Sequence, residues 1–168
     1  PLHVSDQFAG RSKAGLYGDV VEELDWSMGQ LFDTLKELKL DKNTLVIFTS
    51  DNGPYPQGSP GHLRGSKGTA WEGGFKVPFI ARWPGKIREG SKSSSIAMNI
   101  DLLPTLATIS EFKLPGDLVL DGRNIWSLLE GKEKEIHEKL YFFYDDKISA
   151  VRTQNFKMLL AAPYIGKR

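Results

Sequence analysis

Leu45 to Pro54, reading Leu-Val-Ile-Phe-Thr-Ser-Asp-Asn-Gly-Pro, leaves the chain few choices of fold. Its first five residues are uncharged and mostly β-branched or aromatic, without the alternation of a half-exposed strand. They therefore read as a strand buried on both faces of a parallel sheet. Such a strand is covered by helices, so the expected class is α/β. The run stops at Asp51-Asn52 and is broken by Gly53-Pro54, at the C-terminal strand end where open α/β sheets carry their ligands. Neighbouring side chains on a regular strand point to opposite faces. Asp51 and Asn52 can thus serve one centre only if the backbone turns, and Gly53-Pro54 supplies a turn. A carboxylate beside an amide oxygen suits a hard cation such as Ca²⁺ or Mg²⁺. An Asx turn leaving a strand would use the same two residues.

Upstream, apolar residues recur at Val20, Leu24, Met28, Leu31, Leu35 and Leu38, with charged residues between them, which predicts an amphipathic helix over Tyr17 to Leu38. Its Met and Leu stripe reads as core packing. Asp19, Glu22 and Glu23 near its start suit the helix dipole. Downstream, Pro54 to Gly74 is a long segment rich in proline and glycine that carries His62, Arg64 and Lys67. A loop of that length is usually functional or disordered, and cations among glycines beside Asp51-Asn52 suggest an oxyanion. It is not a P-loop, because Ser66 precedes Lys67 and Gly68 follows it. A solvated surface loop with ordinary lysines has the same spacing.

A strand is expected over Val77 to Trp83, and a helix over Leu102 to Ile109 with Asp101 as N-cap and Pro104 in its first turn. Asn124 to Glu130 reads as a short helix closed by Gly131. Leu140 to Tyr144, Ile148 to Arg152 and Phe156 to Leu160 read as an antiparallel meander. Three strands cannot close a core alone, so the meander is expected to begin a smaller subdomain.

With 168 residues, 40% hydrophobic and 26% charged, the chain can bury one core of fair size. Its 22 basic and 21 acidic residues nearly balance, and no Lys/Arg cluster is interleaved with aromatics, which argues against a nucleic-acid partner. No apolar run is long enough to cross a membrane. Without cysteine there is no disulfide, thiolate metal site or cysteine nucleophile in these residues. The opening Pro1-Leu2-His3-Val4, with neither Met nor a signal-like start, reads as a fragment of something longer.

Several phrases together carry a resemblance. They are Tyr17-Gly18-Asp19 with Glu23-Leu24-Asp25, Leu45 to Pro54, Leu63-Arg64-Gly65-Ser66-Lys67-Gly68-Thr69-Ala70-Trp71-Glu72-Gly73-Gly74, Arg82-Trp83-Pro84-Gly85, Asp101 to Leu106, and Asp121-Gly122. In this order the chain resembles the C-terminal half of a type I sulfatase, of the arylsulfatase kind, in the alkaline phosphatase superfamily. Even Ala150-Val151-Arg152 to Phe156-Lys157 looks like the family's C-terminal subdomain. The resemblance implies a partial alkaline-phosphatase-like sandwich with a largely parallel sheet. Residues 1–138 would be the C-terminal part of the catalytic domain, and residues 139–168 the start of a small antiparallel subdomain. It implies hydrolysis of aryl or carbohydrate sulfate esters, and a periplasmic, secreted or lysosomal location. Asp51 and Asn52 match the family's divalent-cation ligands, usually for Ca²⁺ with Mg²⁺ possible, and Lys67 matches the lysine that contacts the sulfate. His62 and Arg64 are weaker substrate-binding candidates.

The departures are absences. The family's Cys/Ser-x-Pro/Ala-x-Arg motif, source of the formylglycine nucleophile, is not here, and Ser12-Lys13-Ala14-Gly15-Leu16 lacks the arginine. These 168 residues alone are therefore expected to be inactive, with the formylglycine supplied by a missing N-terminal half. Pro1 corresponds to the proline of the family's His-x-Pro phrase, which leaves His3 structural or exposed, and His137, in a charged run, is expected to be solvated. Two further readings stay open. One is a phosphatase or phosphodiesterase of the same superfamily, whose two zinc ions would demand more than three histidines. The other is a non-catalytic protein binding sulfate or other anions on this scaffold.

Overall fold

The computed structural model describes residues 2–132 and 135–160, so the readings of Pro1 and of residues 161–168 lie outside the described residues. Helix α1, Gly15–Glu37, matches the span its periodicity predicts. Because α1 begins at Gly15, its first turn holds no acidic residue and the expected dipole role of Asp19, Glu22 and Glu23 is not met; the Asp19 carboxylate is instead buried and accepts hydrogen bonds from the backbone N–H of Ser12 (2.6 Å) and of Gly10 (2.9 Å). Those donors favour the charged form and hold its pKa below the usual carboxylate value. Asp19 thus ties the preceding loop to α1, a role its place near the helix start did not reveal. The apolar stripe is only partly covered, with Val20, Met28 and Leu35 half-buried and Leu24, Leu31 and Leu38 exposed among the described residues. The expected core packing is correct for one edge of the stripe.

A short 3₁₀ turn, Asp41–Asn43, leads into strand β1, Val46–Thr49. Here the expectation of a doubly buried strand in a parallel sheet needs correction. The described partner of β1 is β2, Phe79–Arg82, which runs antiparallel to it, Val46 facing Arg82 and Thr49 facing Phe79. All four β1 residues are half-buried. A continuous apolar run shows what both faces will tolerate and says nothing about a neighbour's direction. Direction follows from the connection, and the loop after Thr49 returns at the same end of the sheet, so no crossover is required. Arg82 fastens this sheet to the 3₁₀ turn, with Nη1 2.6 Å from Asp41 Oδ1, and to α1, with its guanidinium 4.9 Å from the Phe32 ring centroid.

A second 3₁₀ turn, Asn99–Asp101, runs into α3, Leu102–Ile109, at the predicted place, but the Asp101 side chain makes no capping hydrogen bond to that helix. Asp101 does more than begin a helix. Its fully buried carboxylate accepts the N–H of Met98 (2.7 Å) and of Arg123 (2.8 Å), and His137 Nε2 lies 2.9 Å from both oxygens. His137 is therefore buried, not solvated as its charged surroundings suggested. A buried carboxylate needs partners, and this one finds its imidazole 36 residues away. Helix α4, Trp126–Leu129, ends at Gly131 with φ +79°, the left-handed conformation expected there.

The predicted meander is present as β3 (Leu140–Tyr144), β4 (Lys147–Arg152) and β5 (Lys157–Leu159), all antiparallel. Its buried residues Phe142 and Ala150 do not pack only among themselves. They close on Ala70 of the long loop, with Leu140 and Leu159 at the margin. The loop carrying the candidate site is thus part of the same small core as the C-terminal sheet. Among the described residues no helix is long and apolar enough to cross a membrane.

Candidate functional site

The chain turns as it leaves β1. Ser50 Oγ donates to the Asn52 carbonyl (3.0 Å), and the Asn99 amide donates to the Ser50 carbonyl (2.9 Å). This turn carries Asp51 exposed and Asn52 half-buried. Ser50 Oγ approaches the Asp51 carboxylate only at 3.5 Å, which leaves its acceptor capacity largely unspent. Two hard oxygen donors side by side fit a Ca²⁺ or Mg²⁺ ion in kind. They do not fit it in number, because Ca²⁺ takes about six to eight oxygens and Mg²⁺ about six. Among the described residues no cluster of three or more acidic or histidine side chains completes such a shell.

The loop that follows folds back onto this turn. The Lys67 N–H donates to the Pro54 carbonyl (3.0 Å), and Thr69 closes a tight turn onto the Ser66 carbonyl through its N–H (3.1 Å) and hydroxyl (2.8 Å). Gly65 and Gly68, with φ +82° and +84°, permit these reversals. Lys67 is exposed, its ammonium 5.0 Å from the Tyr55 ring centroid. The structure therefore brings Asp51, Asn52 and the Lys67 backbone into one neighbourhood. Arg64 is drawn aside, with its guanidinium 3.7 Å over the Trp71 ring. His62 is exposed, and among the described residues nothing ties it to this packing.

Between the two halves lies α2, Glu72–Phe75. Gly73 N–H donates to the Arg64 carbonyl (2.8 Å), and Gly53 N–H donates to the Gly74 carbonyl (2.9 Å). Gly53, Gly73 and Gly74 are buried, and a Cβ on any of them would overlap backbone of the facing segment. Close backbone approach is what the glycines provide. Sequence reasoning missed Glu72. Its carboxylate meets Arg152 Nε at 3.1 Å and Lys157 Nζ at 2.9 Å, both on the C-terminal sheet. Burial pushes the Glu72 carboxyl up, but the Lys157 ammonium and the Arg152 guanidinium outweigh it and hold the pKa below its usual value. Burial also lowers the Lys157 ammonium, and the Glu72 carboxylate restores only part of that shift. No local signal marks Glu72, because its partners are 80 and 85 residues away.

Comparison with known proteins identifies the chain's relatives. A sulfatase family model matches residues 1–110, and a model described as N-sulphoglucosamine sulphohydrolase, C-terminal, matches residues 65–162. Human steryl-sulfatase is 43% identical over 162 residues, which are 90% of this chain and 28% of that protein. Human arylsulfatase A is 41% identical over 167 residues, 94% of this chain and 32% of the relative. Among solved structures, the PsFucS1 sulfatase from a Pseudoalteromonas species superposes with a TM-score of 0.81 at 32% identity, covering 92% of this chain and 32% of that one. The Ps i-CgsB structure, determined with k-i-k-neocarrahexaose, gives 0.84 at 28% identity over 95% of this chain and 38% of that one. These neighbours place the fold in the α/β class of alkaline-phosphatase-like architecture. The chain belongs to the sulfatase family, and it spans about three-tenths of the length of the curated relatives named here.

Proposed function

We propose that the full-length protein hydrolyses sulfate esters, aryl or carbohydrate. In this reading Asp51 and Asn52 supply part of a Ca²⁺ site, with Mg²⁺ the alternative ion, and Lys67 contacts the sulfate. The observation that carries the proposal is the backbone bond from Lys67 N–H to the Pro54 carbonyl, which sets an ammonium-bearing loop against a turn with two adjacent hard oxygen donors. A bound cation would neutralise sulfate oxygens and stabilise charge developing on them. Lys67, a compact cation with three donors, would add a second positive charge for the sulfate oxygens. Arg64, held on Trp71, and exposed His62 stand at the margin as substrate contacts of lesser weight. The formylglycine nucleophile and the remaining cation ligands would come from residues outside this chain. A periplasmic, secreted or lysosomal setting goes with this reading.

The test is turnover of a chromogenic aryl sulfate and the matching aryl phosphate by the full-length protein, before and after chelation. We expect cleavage of the sulfate that is lost on chelation and returns with Ca²⁺. Cleavage of the phosphate alone would turn the reading toward a phosphatase, and saturable sulfate binding without turnover would make the protein a binder.

A further inference from the structure

We propose that the C-terminal sheet is the positioning device of the site: through the paired contacts of Glu72 with Arg152 and Lys157, it fixes α2 and thereby the spacing between the Asp51-Asn52 turn and the Lys67 loop. The catalytic part of this inference rests on the sulfate-ester reading above.

Helix α2 has four residues and cannot hold a place by its own hydrogen bonds, since helices this short are unstable in isolation. Its backbone is committed to both halves of the site, through Gly73 to Arg64 and through Gly74 to Gly53. Any shift of α2 moves the two halves together or pulls one of these bonds apart. Its side chains Glu72 and Phe75 both reach the meander: Glu72 by two ion pairs and Phe75 by an edge-to-face contact with Phe142 at 4.8 Å.

The arrangement on the sheet is the second observation. Arg152 on β4 and Lys157 on β5 are directly opposite in register. Like charges so placed repel and weaken a sheet. They are also sheltered, their side chains only 22% and 12% exposed, with the Lys157 ammonium 3.5 Å from the Phe142 ring centroid. Two sheltered cations facing each other make sense when an anion lies between them, and the Glu72 carboxylate gives one oxygen to each. The meander is thus built around a carboxylate from another part of the chain. Glu72, Arg152 and Lys157 touch no substrate in this reading and act through Lys67 and the Asp51-Asn52 turn.

The experiment uses the full-length protein with Glu72→Gln, which keeps the shape and removes the charge, alone and in a Lys67→Ala background. A misplaced group can cost about a hundredfold in rate for an ångström of error. We expect Glu72→Gln to lower kcat on the order of tenfold while KM changes less. In Lys67→Ala the same substitution should cost less than about twofold, because the group it positions is gone. Amide exchange at Lys67 and Gly53 should accelerate about tenfold, with α1 amides unchanged; this readout needs no turnover. An equal loss of kcat in both backgrounds, or unchanged exchange at Lys67 and Gly53, would overturn the proposal. If the full-length protein cleaves no sulfate ester yet exchange changes as expected, the sulfate-ester reading fails and the positioning stands. Should Glu72→Gln not fold, Lys157→Met is put through the same cycle, since it leaves the Arg152 pair in place.

Discussion

Gly53→Ala adds a single carbon where the strand-end turn meets α2. A Cβ at Gly53 would overlap the Gly73 carbonyl oxygen and stand 2.8 Å from its carbon and 2.9 Å from Gly74 Cα. All three are backbone atoms, so no side-chain rotation relieves the collision. The turn must retreat and stretch the 2.9 Å bond from Gly53 N–H to the Gly74 carbonyl. Overpacking a filled site costs about 1–3 kcal/mol, and a weakened internal hydrogen bond adds about 1 kcal/mol. Together these give a loss of roughly 2–4 kcal/mol. Gly29→Ala is the natural control, because Gly29 lies within α1 and a Cβ there meets nothing within 4 Å. It should gain about 0.5–1 kcal/mol from helix propensity. Urea unfolding of the two full-length variants should therefore show midpoint shifts of opposite sign. A Gly53→Ala loss below about 0.5 kcal/mol, the size of an ordinary surface change, would refute the close backbone contact between the strand-end turn and α2.

Asp51→Ala and Asn52→Ala should lower bound calcium and turnover together, Asp51→Ala the more, because a charged oxygen ligand is the harder to replace; metal analysis beside an aryl sulfate assay checks this. Lys67→Ala should lower turnover by about a hundredfold or more with little change in thermal midpoint, while Lys67→Arg recovers only part of the rate. Near-normal turnover in Lys67→Ala would remove it from the site. Glu72 has a folded pKa below its ordinary value of 4.5, so its ionised form stabilises the fold above that value, and the contribution is lost as pH falls through the folded pKa. The thermal midpoint should fall less steeply with acid in Glu72→Gln than in the unaltered protein. Some acid loss should persist, because Asp19 is shifted in the same direction.

Elements set by local pattern were legible. The span of α1 followed from spacings of three and four, α3 from Pro104 in its first turn, and the meander from aromatic runs between polar turns. The turn at Asp51-Asn52 was legible because Gly53-Pro54 ends the strand there. What stayed hidden depends on residues distant in sequence. The direction of β1 is decided by a partner beginning 30 residues after Thr49. His137 lies among charges that suggest water, and its partner Asp101 reads as a plain N-cap until the two are seen together. Glu72 stands in a phrase noted for its glycines and lysine, while Arg152 and Lys157 look like unremarkable cations on a sheet. Only the folded chain puts the carboxylate between them.

The Asp101 carboxylate closes a span of 22 residues at Arg123 and one of 36 at His137. Residues 111–122, inside the first of these closures, form neither helix nor strand, and Asp101 and Arg123 fasten the chain on either side of them. Val119 is 90% exposed, whereas Thr105, Ile125 and Leu128 of the same span are buried. Doubling the length of a flexible loop costs only about 0.6 kcal/mol in closure entropy. Inserted residues near Val119 should therefore cost little, and this stretch is where a designer could add an epitope or a tether without disturbing the site.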